Sequence, residues 1–314
     1  MRVTFLLVFL MPASAEPQSN FSNMETSLSS SKPLPDLSGL AWIGGKTFIV
    51  VHDAKNPEEL HLPRVSLMAL PSSLEGVLWR STNPIFSRRK SSDLESASRI
   101  PGTQMVLLVE STDNGSSFDR IFLAELIEDD VNIVAETAWS NFTKSFNVEA
   151  TAVASTSGGE MIFIWAERNS GRTSTEIKWT RLSLNPFRIG SYAIFKVRFE
   201  LPSGAYNQAG KPLYDRPLVA MDVDSEGKIY IAATLDPEGY TATPDDGPFR
   251  SIIYQIGAVK GGAIVLTENP KKIGTLDGLK VESLAIRELR GKREIFVGTD
   301  DENYGGVLRV LPAP

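Results

Sequence analysis

"KVESLAIRELRGKREIFVGTDDENYGG", Lys280 to Gly306, contains two β-type runs joined by a charged turn. In the first run side chains alternate, and Glu282 shares a face with Leu284 and Ile286, where an apolar residue belongs. The second run is intensely apolar and ends in Asp300, Asp301 and Glu302. The same arrangement recurs upstream in "DLSGLAWIGGKTFIVVHD" from Asp36, "DLESASRIPGTQMVLLVES" from Asp93, "NVEATAVASTSGGEMIFIWAER" from Asn147 and "PLVAMDVDSEGKIYIAATLD" from Pro217. The third position of the five units reads Ser38, Glu95, Glu149, Val219 and Glu282.

A third run follows each acidic end, usually opened by a base: Arg64, Arg120, Lys178, Arg250 and Arg309. A fourth run closes four of the units, as in "GVLWRSTNPIF", "VAETAWSNF" and "YAIFKVRFEL", and the last unit stops after its third. No long segment keeps a 3.6-residue apolar period, so helices are not expected. About five repeats of four antiparallel strands predict an all-β fold, a five-bladed β-propeller, with an irregular sandwich as the alternative. The missing last strand is expected from the N-terminal arm, which would close the ring and cover a sheet edge.

The ends of the chain set the compartment. Arg2, the apolar "VTFLLVFL" and the small-residue "ASA" at 13–15 have the layout of a secretory signal peptide, too short to span a bilayer. Residues 16–35 are rich in Ser, Pro and Asn and read as an arm or closing strand, and 36–314 as the propeller. A secreted or periplasmic, monomeric protein without stable membrane insertion is expected. Asn20, Asn114 and Asn141 stand in N-x-S/T triplets. The chain has no cysteine, which removes disulfides, thiolate metal sites and cysteine nucleophiles. Its only histidines are His52 and His61, too few for a multi-histidine zinc site. A net charge of −6 argues against nucleic acid as a partner.

The acids have a geometric reading. First strands line a propeller's channel, so Ser38, Glu95, Glu149 and Glu282 should converge at one mouth. Facing carboxylates repel, and burial adds to the cost. Calcium, which takes six to eight oxygen ligands in loose geometry, would relieve both. Water or ion pairs in a wet channel would serve as well. Val219 interrupts the ring, and Asp222 or Asp215 lies close enough in sequence to compensate. Second strands end at the same mouth, bringing His52, Asp53, Glu110, Asp113, Glu167, Arg168, Asp236, Asp300 and Asp301 there with the third-strand bases. The result is a funnel of acids rimmed by bases, read either as a ligand site or as ion pairs that staple each blade. Candidate catalytic residues are Asp53, Glu110 and Asp300. Candidate ligand contacts are His52, Arg64, Arg120, Arg250 and Asp301. The loops 52–64, 235–250 and 298–306 break the repeat and are candidates for a pocket. The acidic turn "DDENYGG" lacks the twelve-residue ligand spacing of an EF-hand.

At "DLSGLAW…FIVVHD" and "VESLAIRE…IFVGTDDENYGG" the chain resembles secreted phytase-like, esterase-like β-propellers of cyanobacterial type. The channel series also resembles that of the calcium-activated nucleotidases, five-bladed propellers whose equivalent positions run Ser, Glu, Glu, Ser, Glu; this chain departs at Val219. These resemblances imply a calcium-dependent hydrolase of phosphate esters or anhydrides, with a small, phosphorylated ligand and Asp53 near its phosphates or the attacking water. In that scheme an axial cation polarises a water that Asp53, Glu110 or Asp300 orients, while Arg64, Arg120 or Arg250 neutralises developing charge. A non-catalytic binding propeller is the alternative, because fold does not fix function. A third reading is a glycosidase or sugar-binding propeller, for which paired carboxylates are available but no aromatic stacking pattern stands out.

Overall fold

The computed structural model describes residues 25–26, 35–53, 63–70, 78–82, 84–86, 91–111, 119–139, 147–168, 174–197, 217–235, 249–300 and 306–311. Each repeat forms one antiparallel sheet. The first holds β2 (Gly39–Gly44), β3 (Thr47–Val51), β4 (Val65–Ala69) and β5 (Leu78–Thr82), with β1 (Glu25–Thr26) added outside β5. The second is β6 (Leu94–Arg99), β7 (Met105–Glu110), β8 (Arg120–Ile127) and β9 (Asp130–Ala138). The third is β10 (Val148–Ser155), β11 (Met161–Glu167) and β12 (Thr175–Leu184), whose outer edge takes both β13 (Phe187–Ile189) and β14 (Ala193–Val197). The fourth is β15 (Leu218–Val223), β16 (Lys228–Leu235), β17 (Arg250–Lys260) and β18 (Ala263–Asp277), and the last is β19 (Val281–Leu289), β20 (Lys292–Thr299) and β21 (Leu308–Leu311). First strands touch in the order β2, β6, β10, β15, β19 and back to β2, so five blades close a ring. Among the described residues no helix is long and apolar enough to cross a membrane.

The core lies between blades. Five apolar clusters fill the five interfaces, and their residues alternate along each strand, one face per neighbour. Buried hydroxyls add links near the axis. Ser96 Oγ lies 2.8 Å from Thr151 Oγ1 across blades two and three, and Thr234 Oγ1 donates to Val281 O at 2.9 Å across blades four and five. Asp222 accepts from Val223 N at 2.8 Å and Ile286 N at 2.7 Å, tying blade four to five. Burial pushes its carboxyl up to about 6, against the pull of those two backbone donors.

The N-terminal strand is present but pairs on the outer edge of blade one, Glu25 opposite Trp79, and not on the last blade, where the sequence count had expected it. Among the described residues blade five therefore has three strands. Closure is made at the mouth instead. Leu37 N donates to Thr299 O at 3.2 Å, and the fully buried Leu37 side chain sits over two glycines of blade five. A Cβ at Gly298 would lie 2.6 Å from Leu37 Cβ, and one at Gly306 3.0 Å from Leu37 Cγ. Phe48 and Phe296 complete the seam, ring centroids 5.1 Å apart.

Gly298→Ala should therefore destabilise the fold by about 1–3 kcal/mol through overpacking. Gly158→Ala, where the nearest atom to an added Cβ is a side-chain oxygen at 3.7 Å, should stay within about 0.5 kcal/mol. Urea unfolding of the two variants checks the difference.

Candidate functional site

In four blades the ladder between first and second strand slips by one residue at the start of the first strand, while in blade one it slips at the far end, at Trp42/Gly44. The irregularities lie at Leu94/Ser96, Val148/Ala150, Leu218/Ala220 and Val281/Ser283. The skipped residues are Glu95, Glu149, Val219 and Glu282. A β-bulge leaves its extra residue outside the pairing and re-aims its side chain. That explains an acid on an apolar face: Glu282 does not occupy the alternating position that its spacing suggests.

The bulged acids are not held alike. Glu282 is 3.1 Å from Lys280 Nζ, which also reaches Asp300 at 3.7 Å. Glu149 is 3.9 Å from Arg168. Glu95 instead joins Asp53, from the end of β3, and Asp93, from the approach to β6. One carboxylate oxygen from each lies within 4.8 Å of the others. Asp93 and Glu95 are buried and Asp53 half-buried. Asp93 is held at φ 60° while its carbonyl accepts from Ser111 N at 2.8 Å.

That bond is one of a series. The residue two before the channel position accepts from the residue that follows the second strand, Asn147 from Arg168 at 2.9 Å and Lys280 from Asp300 at 3.1 Å, or in blade four from its last residue but one, Pro217 from Thr234 at 3.0 Å. In blade one the donor is a side chain. His52 Nδ1–H donates to Asp36 O at 2.5 Å, and Nε2 accepts from Ser66 Oγ at 2.8 Å. Both ring nitrogens are engaged, and burial lowers the His52 pKa to about 4. His52, expected as a ligand contact, sits as a neutral strut.

The remaining expected residues divide clearly. Glu110 is fully buried, and Arg120 holds it with two bonds, Nη2 to Oε1 at 2.7 Å and Nε to Oε2 at 2.9 Å. The backbone amides of Ser92 and Arg120 add two more. Burial raises the Glu110 carboxyl against these partners. Glu167 and Lys178 form the same pair one blade on. Arg64 is buried at the trio's side of the mouth and donates from Nε to Ser91 O at 2.8 Å. Arg250 turns outward to Asp277 at 2.8 Å. Arg309 is exposed on β21. Asp301, His61, Asp113, Asp215, Asp236, the three N-x-S/T asparagines and the segment 1–15 lie outside the described residues.

A calcium shared by Ser38, Glu95, Glu149 and Glu282 would draw on acids that three different partner sets hold. The described residues offer a hard oxygen set at Asp53, Asp93 and Glu95 instead. The axis itself holds a cavity of about 10 Å³ lined by Ser38, Ser96, Glu282 and Ser283, room for about one water. Asp93 was the residue that the repeat concealed. Its signal was the short polar side chain two places before the channel position in Asp36, Asp93 and Asn147.

No protein-family profile and no curated protein matches the chain. Solved structures do. An endo-arabinase from Bacteroides thetaiotaomicron is 10% identical with a TM-score of 0.51, covering 90% of this chain and 98% of that one. A thermostable family-43 glycoside hydrolase is 8% identical at 0.52, covering 91% of each chain. The Cellvibrio cellulosa α-L-arabinanase in complex with arabinohexaose is 11% identical at 0.51, covering 89% and 92%. Fold and strand order thus define a five-bladed β-propeller of the architecture found in glycosidases. This overturns the resemblance to phytase-like propellers and to calcium-activated nucleotidases, and the phosphate-ester reading that rested on it. The shared motifs describe how a blade opens and bulges, which any such propeller needs.

Two substitutions test the struts. Glu110→Gln leaves Arg120 buried without its charge partner and should cost about 3–5 kcal/mol in chemical denaturation. His52 is depressed when folded, so its contribution is complete above pH 6.5 and is lost as pH falls through about 4. Asp222 is raised, so its contribution is complete below pH 3.8 and is lost as pH rises through about 6. Unfolding curves at pH 7 and 4.5 should show His52→Gln losing less stability on acidification than wild type, and Asp222→Asn losing more.

Proposed function

We propose that this protein is a secreted, glycan-directed hydrolase that works at the Asp53, Asp93 and Glu95 carboxylates on the mouth of the channel. One observation carries the reading: three carboxylate oxygens from two blades within 4.8 Å of one another. Glycosidic cleavage needs two carboxyls that face one bond, and a cluster of three supplies them. One carboxyl gives a proton to the leaving oxygen, and its ionised neighbour attacks the anomeric carbon or takes a proton from water. The fold is shared with arabinan-cleaving enzymes, one of them solved with arabinohexaose, which supports a pentose or related glycan as substrate.

The same trio favours a second reading, a calcium ion held by these three acids, either structural or beside the substrate. Its chemistry would be to gather sugar hydroxyls and carboxylates around one hard cation. Asp53, Asp93 and Glu95 would hold it, and Arg64 would limit the net negative charge nearby.

A hydrolysis screen with arabinan, xylan and fructan oligosaccharides, with calcium or with a chelator, tests both. Cleavage of at least one of them is expected, lowered about 10²–10⁴-fold in Asp93→Asn at unchanged melting temperature. Cleavage of none of these glycans, or an Asp93→Asn variant as active as wild type, sinks the hydrolase. Bound calcium whose removal lowers the melting temperature supports the cation; identical melting with calcium and chelator, and no metal in the purified protein, removes it.

A further inference from the structure

We infer a second binding site, for an acidic oligosaccharide, on the end of blade three opposite the mouth. A groove of about 530 Å³ runs between the start of β11 and the end of β12, with β13 on its far side. That volume is within the range of ordinary ligand pockets. Its floor is apolar, built from Met161, Leu182 and Leu184, and its rim carries Glu160, Arg181 and Arg188. β13 and β14 share one edge of β12 and leave a break between them at residues 190–192, which widens the groove.

The rim charge identifies the ligand. Arg181 meets Glu160 at 3.4 Å through one nitrogen, with both side chains largely in solvent. A surface pair of this kind contributes little to stability. Among the described residues Arg188 has no carboxylate partner, although the chain as a whole carries −6. Two guanidinium groups against one acid leave the groove locally positive. A guanidinium presents a planar fork of donors that fits a carboxylate with two parallel bonds. A uronic-acid residue would set its carboxylate on Arg188 and its C–H face on the apolar floor. Glu160 competes for the same cations and would weaken such a ligand. The choice of a sugar over a peptide rests on the glycan reading of the mouth; the requirement for a carboxylate rests on the groove alone.

Titration calorimetry of the whole protein with α-1,4-linked trigalacturonate tests the site. Binding is expected, weakened by salt, at least tenfold weaker in Arg188→Gln, and tighter in Glu160→Gln. Asp93→Asn should bind it unchanged, and Arg188→Gln should leave any hydrolysis at the mouth unchanged, which separates this proposal from that one. No binding by the wild-type protein overturns the site, as does an Arg188→Gln variant that binds equally well. Neutral arabinotriose bound as tightly overturns the carboxylate, and an oligoglutamate bound as tightly overturns the sugar.

Discussion

The seam between the last blade and the first constrains the rest of the molecule. Four interfaces each draw many apolar residues from both neighbours, but the closing one takes only Ala285 and Phe296 among the fully buried residues of blade five. It is held by Leu37 over two glycines, one backbone hydrogen bond to Thr299 and an aromatic pair. Among the described residues no strand is exchanged there. A ring of five sheets has a fixed twist per blade, so a poor fit accumulated elsewhere would open at this point. Gly298 and Gly306 thus let blade one approach this closely, since a Cβ at either would press on Leu37.

The same seam places the site. Leu37 reaches across to blade five, and next to it the Asp36 carbonyl accepts the His52 ring N–H. This puts the polar end of β3 against the start of β6, and with it Asp53 against Asp93 and Glu95. The carboxylate trio arises where the repeat is broken. Elsewhere on the mouth Arg120 in blade two, Lys178 and Arg168 in blade three and Lys280 in blade five each hold an acid.

The architecture was readable because each blade repeats its pattern of strand, turn and apolar strand, and Gly, Pro and acidic residues punctuate it. The bulges were not. A skipped residue leaves the one-letter alternation almost unchanged, so Glu282 read as a face residue when it is an insertion. The ring of Ser38, Glu95, Glu149 and Glu282 was inferred from equivalent positions, but equivalent positions carry different partners: a lysine two residues upstream for Glu282, an arginine across the ladder for Glu149, two aspartates for Glu95. Glu110 was legible as an acid at a second-strand end. That it would be enclosed by Arg120 and two amides depends on a three-dimensional fit that spacing alone does not encode.

The bulge has a consequence for how such a protein changes over time. The residue it ejects stands outside the ladder pairing, so the register of the sheet does not depend on its identity. Val219 occupies the same slot as three glutamates, and its blade pairs as well as theirs. Four of the five blades therefore carry one mouth position that holds valine or glutamate on the same ladder, and the chemistry of the mouth can drift through these positions while the strand register stays fixed.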